Sequence, residues 1–407
     1  MTRQWIHTLR LAGAAFLFAG VATASLAAER QASVVSKWNS VALNEIVLNG
    51  SAPYKNARQL AILNLALYNA VEAVNQKHEL LHVDVPPAPD ASAQAAAAAA
   101  GYAALGGLFP KSNETYLSTT YYNELARIPE SPAKAKGIAL GLEVARQVLA
   151  SRQDDGGNDA NKPFGEIRPI ALTSAGQFFV PPPPDSSDAQ FARDIQRSKS
   201  LGERDSKART PEQTEIALFW SNTGVGTYGS AGHSLRIGQT LARQKNLSLA
   251  DEARLLALLS IALSDGAVSS VYWKYQYKSQ RPVEFIRAGN PQAGLQAQPG
   301  WEPLSPAAGL DYPSTLTTYA GATTAVLQNF FKTDKLRFTL DSVSLPGVTR
   351  SYASISAATD EASVSRTYSG YHTGAAIRSG RELLGPAVGR YVAENFLKPR
   401  RQQVAAR

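Results

Sequence analysis

The sequence predicts an all-α protein, on three observations. Apolar residues recur at three- and four-residue spacing along most of the chain. Leu60, Leu63, Leu67, Ala70 and Val74 within residues 56–74 are typical, and this is the pattern of a helix with one buried face. The runs have helical length and are bounded by Pro, Gly and polar punctuation. A short Thr- and Val-containing stretch, residues 337–348, reads as a strand or hairpin and is the exception.

Taken in order, residues 91–105 (rich in Ala), 113–127 and 132–151 follow as helices, with Pro129 and Pro132 marking the last junction. Residues 154–161 form a polar loop. Asp154, Asp155, Asn158 and Asp159 lack the spacing of an EF-hand calcium loop and read as a solvated turn. The stiff stretch Pro181 to Pro184 marks a seam. Beyond it come a helix at 210–220, a Gly-rich turn at 222–232 and a long helix at 250–279, apolar over much of its circumference and therefore central. A Pro/Gly-rich loop at 289–313 precedes helices at 314–331, 357–364 and 372–397. The organisation expected is a leader at 1–27, an N-terminal helical region at 28–185 and a helical core at 186–407.

Composition narrows the function classes. The 407 residues carry 41 Lys and Arg against 33 Asp and Glu, a net charge of +8, and no Cys. Without Cys there are no disulfides and no thiolate metal sites. Arg3 and Arg10, then an apolar run, then small residues near Ala27 have the order of a secretory signal peptide, and the run is shorter than a membrane span. Periplasmic or secreted localisation follows as an expectation. No later stretch reads as a better span. Loss of two arginines with the leader takes the net charge from +8 to +6. The basic residues form no runs and no stripes interleaved with aromatics, so nucleic acid is not an expected partner; small anions are.

Three segments carry chemistry. Lys274 and Arg281 lie seven residues apart, a spacing that returns nearly to the same helical face, with Pro282 placed to end the helix and free Arg281. Ser314, in the run Tyr312-Pro313-Ser314-Thr315-Leu316, opens a helix after a loop, where a hydroxyl and unpaired backbone N–H groups favour an anion. Arg366 and His372 stand six residues apart across Gly370; a guanidinium forks around tetrahedral oxyanions and a neutral imidazole attacks phosphorus or ligates a metal oxide. Singly, each reads as well as a surface cation pair, a plain helix cap or a core histidine.

Jointly and in this order, the segments resemble the K-x6-RP, PSGH and SR-x5-H signature of the type 2 phosphatidic acid phosphatase and vanadium haloperoxidase superfamily, in its bacterial chloroperoxidase-like branch. Phe219-Trp220-Ser221, Pro299-Gly300-Trp301, Leu345-Pro346-Gly347 and Asp360-Glu361-Ala362 extend the likeness, as does the helix at 57–74. The resemblance implies a helical bundle of the haloperoxidase type behind an N-terminal helical layer. It implies that Lys274, Arg281, Ser314, Arg366 and the backbone N–H of Thr315 hold the equatorial oxygens of phosphate or vanadate. His372 would be apical, as the nucleophile of a phosphatase or the vanadium ligand of a haloperoxidase. Vanadate is the implied cofactor in the second case and there is none in the first. The substrates are a phosphate ester, or a halide with hydrogen peroxide.

The sequence departs from the signature where Gly-His is replaced by Thr315-Leu316. The missing imidazole is the acid–base group, and losing such help typically costs ~10²–10⁴-fold in rate. His233, the other histidine of the C-terminal half, is a candidate to reach the site through the Gly-rich turn and replace it in part. The alternative is a catalytically impaired relative that binds phosphate-like anions without efficient turnover. A purely structural envelope protein would make the five-residue match an accident. Asp265, nine residues before Lys274, points off that face and reads as a packing or ion-pair residue, and His78 with His82 gives only a weak zinc pattern.

Overall fold

The computed structural model describes residues 32–400, except 50–52, 113, 160–161, 223–225, 292–293 and 307; the expected leader lies outside the described residues. Its elements in chain order are α1 (Val34–Asn49), α2 (Pro53–Asn75), α3 (Ala93–Leu108), α4 (Glu114–Ala126), α5 (Pro132–Ser151), α6 (Ala189–Gly202), α7 (Pro211–Phe219) and α8 (Gly229–Gln244). Then come α9 (Leu249–Tyr277), α10 (Pro282–Ala288), α11 (Thr315–Phe331), β1 (Phe338–Asp341), β2 (Thr349–Tyr352), α12 (Ile355–Tyr368), α13 (Gly374–Arg378) and α14 (Gly385–Asn395), with a π-helical stretch at 379–384. The all-helical expectation holds, and the hairpin expected near 337–348 is present, with Phe338 opposite Tyr352 and Asp341 opposite Thr349.

Local chemistry sets the helix boundaries. Ser92, Ser131, Asp188, Thr210, Ser248 and Ser354 each sit at an N-cap and accept a backbone N–H from the first turn. Pro132 and Pro211 occupy first-turn positions where no N–H is needed. At its far end α9 is closed by Lys278 in the left-handed conformation, four residues earlier than the sequence suggested from Pro282.

The centre of the molecule is α9. Its residues are buried almost without interruption from Glu252 to Val271, and α2 packs along it on one side and α11 on another. Each leucine removed from water here contributes about 1.5–3 kcal/mol. α3 and α5 approach closely because α5 offers glycine to an alanine face: a Cβ on Gly141 would fall 2.1 Å from the Ala96 carbonyl oxygen. The 249–288 stretch is long and apolar enough to cross a membrane, but 94% of its most apolar window is buried inside the protein, as befits a core helix.

Three further differences concern the helices. α1 and α6 were not foreseen, and the glycines from Gly229 to Gly232, expected in a turn, begin α8. Residues 178–181 run extended across the end of α9: Trp273 Nε1 donates to the Phe178 carbonyl, Tyr277 to that of Val180 and Tyr312 to that of Pro181. A small second core of Phe191, Ile195, Ile286, Leu295 and Trp301 joins α6 to α10.

Candidate oxyanion site

Lys274 lies in the last turn of α9, and Arg281, outside that helix, is the N-cap of α10. They meet through the 308–311 loop rather than along one helical face. Lys274 Nζ donates to the Leu310 and Asp311 carbonyls at 3.0 and 2.7 Å. Arg281 Nε donates to those of Ala308 and Gly309, both at 3.0 Å, and Glu284 fixes its backbone by accepting Arg281 N–H at 2.8 Å. Burial and the neighbouring Arg281 push the Lys274 ammonium down to about 7.

His372 is 3% exposed, and its Nδ1 lies 2.7 Å from Asp311 Oδ1. The other carboxylate oxygen of Asp311 accepts Thr373 Oγ1 at 2.6 Å and Thr373 N–H at 3.3 Å. Burial alone would raise the Asp311 pKa; His372, Arg281 and Lys274 outweigh it and hold the group below its usual value, so it stays ionised. An ionised acceptor at Nδ1 selects the tautomer with its lone pair on Nε2. Burial and Arg281 press the imidazole pKa down to about 3, keeping it neutral. Arg281 Nη1 stands 3.5 Å from that Nε2 and also donates to the Tyr371 carbonyl at 2.8 Å.

Arg366 is 1% exposed on α12, and burial lowers its pKa to about 10. Its Nη2 donates to the Trp220 carbonyl at 2.9 Å and its Nε to Ser365 Oγ at 3.1 Å. The Tyr371 ring serves both guanidiniums, its centroid 4.5 Å from the Arg281 Cζ and 5.6 Å from that of Arg366. An aromatic face between two like charges offsets part of their repulsion. With Lys274 protonated, two cations, Lys274 and Arg281, face the single carboxylate of Asp311, and Arg366 adds a third charge near Arg281. An excess of buried positive charge of this kind is costly unless an anion completes it.

Ser314 and Thr315 open α11 three and four residues after Asp311. Ser314 is fully buried and caps its own helix, accepting Thr317 N–H, while its N–H is held by the Ala376 carbonyl at 3.0 Å. Thr315 Oγ1 pairs with Ser270 Oγ at 2.9 Å. Leu316 faces a small cavity that it shares with His233, Trp220, Ala320 and Thr359. His233 belongs to α8 and not to a turn. Its ring stacks on Trp220 at 4.4 Å, Asn222 Nδ2 donates to its Nδ1 at 2.7 Å, and its Nε2 has no hydrogen-bond partner among the described residues. Burial and Arg236 lower its pKa to about 3.

The remaining candidates have structural duties. Among the described residues Asp265 takes no ion pair; it accepts the N–H groups of Ile170, Ala171 and Leu172 at 2.7–2.9 Å, lashing that segment to α9. Asp155 is held by Arg58 and Arg152, and His82 Nε2 by the Ile170 carbonyl. Among the described residues no cluster of three or more His, Asp or Glu is suited to a metal ion. Asp311 and Tyr371 are the residues that sequence reasoning missed. The available signal was an acid directly before the Tyr-Pro-Ser helix opening and an aromatic beside the motif histidine.

The donor set suits vanadate or phosphate: cations for the oxygens and a neutral nitrogen, aimed by Asp311, for the central atom. Residues 254–402, which include all the motif residues, match the family described as the VCPO second helical-bundle domain. The vanadium chloroperoxidase of Curvularia inaequalis is 25% identical over 197 residues, 41% of this chain, and the match spans about a third of that protein's length. Among solved structures, that of the first bacterial vanadium-dependent iodoperoxidase superposes with a TM-score of 0.77 at 22% identity, covering 90% of this chain and 98% of that one. A holo-type bacterial vanadium-dependent chloroperoxidase gives 0.67 at 14%, covering 84% and 92%. The chain thus has the fold of the bacterial vanadium haloperoxidases, and its residues 254–402 are similar to the VCPO second helical-bundle domain.

Proposed function

We propose that this protein is an exported, vanadium haloperoxidase-like enzyme whose pocket, bounded by Lys274, Arg281, Arg366 and His372, holds vanadate and acts on a halide with hydrogen peroxide. The observation that carries this reading is the neutral His372 imidazole, fixed at Nδ1 by Asp311 beside the Arg281 and Lys274 cations. When bound, vanadate would supply the oxidation of halide by peroxide. Lys274, Arg281 and Arg366, with Ser314 and the Thr315 N–H, would hold its oxygens, and His372 Nε2 would bind the vanadium. The same residues suit a phosphate ester: Nε2 attacks phosphorus as the P–O bond to the alcohol breaks and the alkoxide takes a proton from water, the cations stabilise the oxygens of the transition state, and a second water then displaces phosphate from Nε2.

Leu316 supports a second reading, a relative that binds such anions and turns over poorly, because no side chain there transfers a proton. His233 is the proposed partial substitute: it shares the cavity of Leu316, and its Nε2 lacks a hydrogen bond. The deciding experiment assays the purified protein for halide oxidation after orthovanadate loading, and for phosphatase activity, beside Leu316→His, His233→Gln and His372→Ala. Parent activity lost in His372→Ala supports the enzyme. Activity gained only in Leu316→His, by roughly 10²–10⁴-fold, supports the impaired reading. Parent activity untouched in His233→Gln removes the substitute. Export is checked by the N-terminus of the secreted chain, expected near Ala28.

A further inference from the structure

The polar loop read at 154–161, which by sequence invited comparison with a calcium site, gives Gly157 and Asn158 to a pocket of the opposite charge. A cavity of about 130 Å³ lies between the start of α2, the end of α3 and the end of α5. Lys55, Arg58 and Arg152 supply its charge, and Ile62, Leu108 and Leu149 supply its apolar wall. It shares no residue with the oxyanion site.

Its electrostatics are unbalanced. Arg58 binds both oxygens of Asp155, Nε to Oδ2 at 2.8 Å and Nη2 to Oδ1 at 2.9 Å, and Arg152 Nε reaches the same Oδ2 at 2.9 Å. One carboxylate therefore serves two guanidiniums that are 7% and 2% exposed. Lys55 has no ion-pair partner among the described residues, and it adds a positive charge beyond those that Asp155 and, more weakly at Arg152, Asp265 offset. Arg152 is pinned further by the carbonyls of Pro169 and Arg168, so its guanidinium cannot swing away into solvent. A concave, preformed, partly apolar site with a few fixed charges is the usual form of a small-molecule pocket.

We infer that this cavity is a second binding site, for a small organic anion with one carboxylate or phosphate head on a short apolar body. Arg58 and Lys55 take the head through charge-assisted hydrogen bonds, and Ile62, Leu108 and Leu149 take the body. A bare inorganic ion leaves the apolar wall unused, and a neutral alcohol leaves the charge unanswered. Binding here is independent of any chemistry at His372.

The test is calorimetric titration of the full protein with 4-iodobenzoate and phenyl phosphate, beside inorganic phosphate and benzyl alcohol, followed by a crystal soak in which iodine marks the position. Expected are binding of both organic anions more tightly than of phosphate or the alcohol, iodine density in this cavity, and affinity reduced at least tenfold in Lys55→Glu and in Leu149→Trp. Lys55→Glu alters a half-buried first-turn side chain, so it stays informative if Leu149→Trp fails to fold, and thermal melts show which variants are native. Iodine found only beside Lys274 and Arg366, no organic-anion binding in the millimolar range, or unchanged affinity in native Lys55→Glu would each overturn the inference. If 4-iodobenzoate alone binds, the head is a carboxylate; if phenyl phosphate alone binds, it is a phosphate.

Discussion

The 2.7 Å contact between His372 Nδ1 and Asp311 Oδ1 decides which imidazole nitrogen keeps its lone pair. Because Thr373 holds the second oxygen of the same carboxylate, the acceptor is itself immobile, and His372 inherits that rigidity. Asp311→Asn should therefore weaken orthovanadate binding by about 10–100-fold, the usual effect of removing a group that orients a ligand. Equilibrium dialysis measures it, and an affinity equal to the parent's would remove the orienting role.

Lys274 makes anion binding sensitive to pH. Its ammonium, lowered to about 7 by burial and Arg281, is charged below that pH and lost above it. Affinity for sulfate, whose own charge is constant across this range, should fall by up to about tenfold per pH unit once pH exceeds 7. Lys274→Met should bind weakly at every pH and show no such fall. A parent whose sulfate affinity is level from pH 6 to 9 would contradict the assignment.

His233 and His372 predict loss of stability in acid. Both are lowered to about 3, whereas in the unfolded chain they titrate near 6.5, so between these values the unfolded state binds more protons. The stability they lend is complete above the unfolded pKa and drains away as pH falls toward the folded one. At pH 4.5 each imidazole shifts the unfolding equilibrium by roughly a hundredfold. Urea unfolding at pH 7.5 and 4.5 should show this, and His233→Phe should have a smaller difference between the two. A difference matching the parent's would exonerate His233.

Gly370→Ala should destabilise the protein and disturb the site together. The residue sits at φ +68°, and an added Cβ would come within 2.7 Å of the Gly202 carbonyl oxygen and 2.9 Å of the Trp301 ring. A non-glycine residue in that region already costs on the order of 1 kcal/mol, before the backbone clash. Since Tyr371 and His372 follow directly, oxyanion affinity should fall along with the melting temperature. A variant with an unchanged melt would show that the loop yields freely.

The legible parts of the fold were those with one apolar face or a central apolar run. α2 and α9 follow directly from leucine and alanine spacing. α1 was harder, because its buried set includes Asn39 and Glu45, which dilute the pattern, and α6 is a mostly polar helix whose best signal is the Asp188 cap. α8 begins with glycines that local propensity assigns to a turn; tertiary packing against α2, α9 and α11 overrides it. The three site cations and His372 were readable through their joint motif. Their meeting through the 308–311 loop was not, because α9 stops at Tyr277 and the long-range carbonyl contacts leave no periodic trace. Asp311 lies 61 residues from its partner in a loop without regular structure, where nothing local distinguishes a buried carboxylate from a solvated one.

The Asp265 lash gives the long central helix a consequence of its own. α9 is 29 residues and so about 43 Å long, and it carries Lys274 at one end while holding residues 170–172 through a carboxylate two and a half turns away. α2 lies along the same helix. A shortened chain beginning after the polyproline stretch would expose the flank of α9 and leave the Asp265 carboxylate without its three donors. The Lys274 end of α9 and the amino-terminal helices lie in one compact unit, although the motif residues are all in the carboxyl-terminal half.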